Sequence, residues 1–193
     1  MAANQLKIGI FDSGVGGLTI MQAVEKHIPN ANYIYCSDSK NYPYGPKRPE
    51  EVKQFSVSAA TKLFENEALD TLIVACNTAS TIALDEIRSA IPIPVIGVVP
   101  AIKPAAALST TKVIGLLATP GTVTRKYTDN LINEFASQCQ VIKVGSSKLV
   151  QIAENQIKGQ KIDLLEIRAE LGEILLMNGS LDTVVLACTH FPC

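Results

Sequence analysis

The chain has 193 residues, 47% of them hydrophobic and 18% charged, with a formal net charge of −1. That is length enough for one large domain or two small ones with a real core, and it excludes a disordered segment. The near-neutral balance, with Lys47 and Arg48 as an isolated basic pair, argues against nucleic acid as the main partner. The longest apolar run, 91–102, is too short to span a membrane and carries Pro92, Pro94 and Pro100. The N-terminal MAANQLK has no signal-peptide core, so a cytoplasmic location with reduced thiols is expected. The five cysteines (36, 76, 139, 188, 193) form no CxxC pair, so neither a disulfide framework nor a closed zinc site is expected.

In chain order, residues 7–11 (KIGIF) predict a short buried strand, and DSGVGG then turns the chain. A helix follows over 18–28, with Leu18, Met21 and Val24 about three apart. NYIYCSD (32–38) predicts a second strand, and 39–49 is a loop rich in turn formers. From Pro49 a helix should run to about Asn66, with Val52, Phe55, Ala59 and Leu63 on one face. DTLIVAC (70–76) is the third strand, followed by a helix beginning beside Asn77 and Thr78, then a short strand in IPVIGV (93–98). The proline-rich segment around 98–104 is the best domain boundary.

The pattern then restarts. TKVIGLLAT (111–119) resembles LKIGIFDS (6–13), and a single helix is predicted over 120–135 with Val123, Tyr127, Leu131 and Phe135 at four-residue spacing. QVIKVG (140–145) is a strand, helices are predicted over 147–157 and 161–177 with Asn178–Gly179 ending the second, and DTVVLAC (182–188) is the last strand. Alternating strands and helices give parallel sheets covered by helices. The expected fold class is therefore α/β: two similar domains, 1–97 and 98–193, each a parallel-sheet sandwich, related by pseudo-twofold symmetry. DTLIVACNT and DTVVLACTH begin at Asp70 and Asp182, 112 residues apart, which is a domain-sized duplication.

In open α/β sheets ligands bind at the carboxyl ends of strands, where both Cys76 and Cys188 fall. Each precedes residues with free donors (Asn77 and Thr78, Thr189 and His190) and starts a helix or turn whose N–H groups can hold an anion. The plain alternative is a small hydrophobe closing a buried strand; the duplicated placement favours chemistry. Cys36, without a copy in the other half, is assigned to the core, and Cys139 and Cys193 have no motif context. FDSGVGG is either a tight strand-to-helix turn approaching a ligand or, with Asp38, a dinucleotide fingerprint; the spacing G-x-G-G argues against the latter. YPYG (42–45) is a turn in which a Tyr hydroxyl and a Gly N–H could clamp a polar ligand. His27 reads as solvated and His190 as a group in proton traffic, while Glu154 by itself reads as a solvated helical acid. Two thiols on opposite faces of one carbon could remove a proton from one side and return one to the other, which inverts a stereocentre. Such thiols need help, because a free thiol is largely protonated at neutral pH; Asp12 could serve beside Cys76 and His190 beside Cys188.

GIFDSGVGGL, YPYG, ACNTAS and ACTHFP, spread over nearly the whole chain, resemble the glutamate racemase family of the aspartate/glutamate racemase superfamily. The resemblance implies a cofactor-independent, metal-free isomerase that interconverts L- and D-glutamate and feeds peptidoglycan synthesis, acting on a small molecule and able to form a homodimer. It makes Cys76 and Cys188 the acid/base thiols, assisted by Asp12 and His190, with Glu154 similar in placement to an acid that supports the second thiol. Asp12 and Ser13, Tyr44 and Gly45, Asn77 and Thr78, and Thr189 and His190 match the substrate-binding pairs. GSSKLVQIAE departs from the family's usual Cys-Pro context before that acid. The family motif also normally continues from CTHFP with a leucine and a tail that completes the first domain, whereas Cys193 closes this sequence. The competing expectation is therefore a truncated or degenerate relative that binds a dicarboxylate amino acid without turnover; a dinucleotide enzyme is the third.

Overall fold

The computed structural model describes residues 5–177 and 179–193. Two compact units, Met1–Val98 and Val99–Cys193, make up the chain. The first contains β1 (Lys7–Asp12), α1 (Leu18–His27), β2 (Asn32–Ser37), α2 (Pro49–Asn66), β3 (Thr71–Val74), α3 (Asn77–Ala90) and β4 (Val95–Gly97). Its sheet has the order β2-β1-β3-β4 with every pair parallel. A parallel strand covered by helices on both faces must be apolar on both, which is why KIGIF and TLIV read as continuous runs rather than alternating ones. Ile8, Ile10, Ile73 and Ala75 pack on one face; Phe11, Leu72 and Val74 pack on the other with Val52, Ala83 and Ile87. Each isoleucine, leucine, valine or phenylalanine among them contributes about 1.5–3 kcal/mol of burial. Helix α2 starts where expected because Pro49 needs no N–H partner and Glu51 reaches back to the Arg48 N–H at 3.2 Å.

The second unit contains α4 (Ile102–Leu108), β5 (Val113–Ala118), α5 (Pro120–Val123), α6 (Lys126–Phe135), β6 (Gln140–Gly145), α7 (Ser147–Ile157), α8 (Leu164–Glu170), α9 (Gly172–Leu176) and β7 (Thr183–Ala187). Its parallel sheet has the order β6-β5-β7. The α/β class with two parallel sheets is as the sequence led one to expect. The duplication extends to packing. Leu69 lies over Gly9 of β1, where an added Cβ would stand 2.6 Å from its Cδ1, and Leu181 lies over Gly115 of β5 at 3.2 Å. One residue later, Asp70 accepts the Lys7 N–H at 2.7 Å, and Asp182 accepts the Thr111 N–H at 2.9 Å. Each acid thus clasps the entry to the central strand of its sheet. The duplication is unequal at one edge. Leu72 and Val74 on β3 are fully buried, whereas Val184 and Leu186, their counterparts on the edge strand β7, are 41% and 47% exposed.

Three predicted elements differ. The helix over 120–135 is two helices, because Arg125 is extended (φ −79°, ψ 140°) and the buried Thr128 hydroxyl donates to the Thr122 carbonyl at 2.6 Å. A threonine side chain here competes with the helical ladder for a backbone acceptor. The helix over 161–177 breaks at Leu171 (φ −90°, ψ 4°), just before Gly172, whose helical propensity is about 1 kcal/mol below that of alanine. Helix α4 occupies part of the segment read only as a boundary. Of the Asn178–Gly179 stop signal, Asn178 lies outside the described residues; Gly179 has φ +86°. Cys36, assigned to the core, is half-buried on the edge strand β2 and packs on that core from its margin.

Candidate functional site

The register of β1 against β3 sets Phe11 opposite Val74, and the Ala75 N–H donates to the Phe11 carbonyl at 2.8 Å. Asp12–Ser13 and Ala75–Cys76 therefore leave the sheet side by side. Ser13 Oγ lies 3.5 Å from Cys76 Sγ, and Asp12, fully buried, accepts the Gly14 N–H at 2.8 Å. Cys76 is the N-cap of α3, its sulfur accepting the Ala79 N–H at 3.5 Å in the role usually taken by Ser, Thr, Asp or Asn. The helix end and Ser13 favour thiolate, but burial and the Asp12 carboxylate outweigh them, and the thiol is pushed up to about 11. Asn77 and Thr78, in the first turn of α3, are buried beside it. Tyr35, from β2, donates to the Gly14 carbonyl at 2.6 Å and braces the loop after Asp12. Burial and then the Asp12 charge raise that phenol above its ordinary value. Gly17 is required by the same packing: a Cβ there would stand 2.6 Å from Asp12 Cβ and 2.8 Å from the Tyr35 hydroxyl.

Tyr44 differs from the expectation of a hydroxyl clamp. It is 1% exposed, its ring packs near Phe11 and Phe55, and its hydroxyl donates to Asp38 Oδ2 at 2.7 Å. Its proton is committed within the protein. Gly45 follows, half-buried, in a turn closed by the Lys47 N–H on the Tyr44 carbonyl at 3.1 Å. Asp38 also accepts both of its Asn41 side-chain contacts, at 3.0 and 2.9 Å, so its oxygens are occupied rather than presented to a ribose.

In the second unit Cys188, Thr189 and His190 are buried directly after β7. His190 Nδ1 lies 3.8 Å from Cys188 Sγ, and its Nε2 lies 2.8 Å from Glu154 Oε1. Lys158 is 3.6 Å from the other carboxylate oxygen. Glu154 is thus not the solvated acid its helix suggests: the Ser146 cap, whose Oγ accepts the Leu149 N–H at 2.9 Å, starts α7 in a phase that turns Glu154 inward. An apolar cavity of about 260 Å³, lined by Leu117, Leu149, Ile152 and Phe191 among others, abuts His190. Among the described residues no group of three or more His, Cys, Asp and Glu is placed to hold a metal ion, and no helix is long and apolar enough to cross a membrane.

The two cysteines are equivalent in the duplication but their surroundings are not. The strand registers equate Asp12 with Ala118 and Ser13 with Thr119. The second unit therefore has no carboxylate at the end of its central strand; the carboxylate near its cysteine is Glu154, which stands behind His190. Sequence reasoning missed Tyr35 beside the site and considered Asp38 only as the ribose-binding acid of a dinucleotide fold. For Asp38 the available signal was the turn-forming run 38–41, which closes with the Asn41 N–H on the Asp38 carbonyl at 3.1 Å.

Residues 18–193 match the Asp/Glu/Hydantoin racemase family. The chain is 47% identical over 182 residues to glutamate racemase of Haemophilus influenzae, covering 94% of this chain and 67% of that protein. The crystal structure of Escherichia coli glutamate racemase in complex with L-glutamate and the activator UDP-MurNAc-Ala is 43% identical with a TM-score of 0.93, covering 98% of this chain and 71% of that one. Glutamate racemase of Francisella tularensis in complex with D-glutamate is 30% identical with a TM-score of 0.78, covering 97% and 70%. The chain belongs to the glutamate racemases of the Asp/Glu/Hydantoin racemase family.

Proposed function

We propose that this protein interconverts L- and D-glutamate by a two-thiol proton transfer, with Cys76 and Cys188 serving opposite faces of one Cα. The observation that carries this is the pair of supported, buried thiols at duplicated strand ends, in a chain of this family. In one direction Cys188 loses its proton to His190 Nδ1, and the thiolate takes the α-proton of glutamate. Cys76, held as a thiol at neutral pH by burial and Asp12, gives its proton to the opposite face of the carbanion. One proton leaves the carbon and one joins it; the reverse direction exchanges the roles, with Asp12 accepting the proton beside Cys76. Glu154 holds the His190 ring and stabilises the imidazolium that forms. Ser13, Asn77, Thr78 and Thr189 supply donors, and the first turn of α3 a positive helix end, for the two substrate carboxylates. Glutamate is the substrate of choice because relatives at 43% and 30% identity are described with L- and D-glutamate bound. The reading includes supply of D-glutamate for peptidoglycan, a cytoplasmic location and no cofactor, with a homodimer to be tested by light scattering. In the direct test, circular dichroism should show the parent racemising both enantiomers and Cys76→Ala or Cys188→Ala losing activity about a thousandfold or more. Either variant at parental rate would end the proposal. The chain matches 67–71% of the length of these relatives, which motivates the second reading, dicarboxylate binding without turnover. Calorimetric glutamate binding without deuterium uptake at Cα would select it.

A further inference from the structure

At the end of β2, Asp38 joins the two loops of the first unit that carry candidate binding residues. Its backbone N–H donates to the Asp12 carbonyl at 3.0 Å, which ties it to the end of β1. Its carboxylate accepts the Tyr44 hydroxyl at 2.7 Å and the Asn41 amide at 3.0 and 2.9 Å. The Asn41 N–H donates to the Asp38 carbonyl at 3.1 Å, so segment 38–41 is closed on itself. Through its N–H and its carboxylate, one acid is therefore tied both to the end of β1 and to Tyr44, which Gly45 follows.

We propose that Asp38 is a positioning residue for substrate: it takes the Tyr44 hydroxyl proton and so fixes the Tyr44–Gly45 backbone as a carboxylate-binding edge. This rests on the racemase reading. A phenol has one proton. Given to Asp38, it cannot also bind a substrate carboxylate, and the remaining lone pairs of the oxygen would repel one. At Tyr44 and Gly45 the donors left for a dicarboxylate are then the main-chain N–H groups, and their aim depends on where Tyr44 is held. The ring is locked between Phe11 and Phe55, and the hydroxyl clasp sets its rotation about that contact. The burial of Tyr44, the Asp38 charge and the nearby Cys76 all hold the phenol in its protonated, donating form.

The test uses Asp38→Ala, Asp38→Asn and Tyr44→Phe with two readouts: amide hydrogen exchange and the split of KM against kcat for glutamate. In Asp38→Ala, exchange of the amides within 41–45 should rise about tenfold or more while α3 stays protected. KM should rise about tenfold with kcat within about threefold, the loss expected for one charge-assisted hydrogen bond that acts on binding. Tyr44→Phe should do the same, and the double variant should be no worse than either single one. Asp38→Asn keeps an acceptor for Tyr44 and should fall between. Unchanged exchange in Asp38→Ala, raised exchange with parental KM, or a kcat loss of about a hundredfold in Asp38→Asn at parental KM would each overturn the assignment. A parent that does not racemise glutamate would remove the racemase reading alone; the exchange data and the calorimetric Kd for glutamate would still decide on Asp38.

Discussion

Replacing Glu154 by Gln tests whether the acid behind His190 matters to turnover. The carboxylate lies 2.8 Å from Nε2, and at an effective dielectric of about 20 its Coulomb attraction to an imidazolium is about 6 kcal/mol. Desolvation of the buried pair offsets much of that, leaving about 1.5–3 kcal/mol for a hydrogen bond to a charged group. At about 1.4 kcal/mol per factor of ten, Glu154→Gln should lower kcat/KM about 10- to 150-fold. A racemase has an equilibrium constant of one, so kcat/KM must fall equally in both directions. The location of the defect shows instead in isotope effects: the substrate α-deuterium effect on kcat/KM should grow for the enantiomer whose proton goes to Cys188 and not for the other. Initial rates by circular dichroism with protiated and α-deuterated L- and D-glutamate measure this, and Glu154→Asp should recover part of the rate. A loss below about threefold with unchanged isotope effects would refute the relay.

Gly17→Ala places a methyl 2.6 Å from Asp12 Cβ, so Asp12 or Tyr35 must shift; the expected result is at least a tenfold drop in kcat with a change in thermal midpoint of only a few degrees. The Cys76 thiol is raised from 9.0 to about 11, so the native state holds this proton more tightly than the unfolded chain. That stabilisation is complete below about pH 9 and is lost as pH rises through about 11, an effect of about 2–3 kcal/mol; urea unfolding of the parent should fall more steeply over that window than that of Cys76→Ser. The Asp182 carboxyl, held below the usual range by Ser109, Thr110 and Thr111, should make the parent lose stability on acidification below about pH 4, and Asp182→Asn should flatten that limb. Val184 and Leu186 stand half-exposed on β7, and replacing both by Thr should reduce self-association in light scattering at little cost in stability.

The sheets were legible because strands buried on both faces leave uninterrupted apolar runs, and α2 because Pro49 marks its start and an apolar face follows. The duplication was legible because its aspartate, threonine and cysteine recur at one offset. The breaks at Arg125 and Leu171 were not, because they depend on where a threonine hydroxyl finds a carbonyl and on a backbone turn that apolar periodicity does not record. Within the site, single positions could be nominated from motifs, but pairings could not. Glu154 is 36 residues from His190 in sequence, and only the phase of α7 brings them together. The Tyr44 hydroxyl looked available to a ligand because nothing in YPYG indicates that Asp38, six residues earlier, takes its proton. The asymmetry of the two thiols was within reach of the sequence: the likeness of 6–13 to 111–119 sets Asp12 against Ala118, and the strand pairing places them alike.

The central claim is that separate groups remove and return the proton, and a partial racemisation of L-glutamate in deuterium oxide tests it most directly. Stopped early, with both enantiomers separated and analysed by mass, the reaction should give D-glutamate fully labelled at Cα while the remaining L-glutamate stays unlabelled, and the converse from D-glutamate. Label entering recovered substrate as fast as product, or product that keeps its original α-proton, would contradict two thiols of opposite reach and point to one shared base.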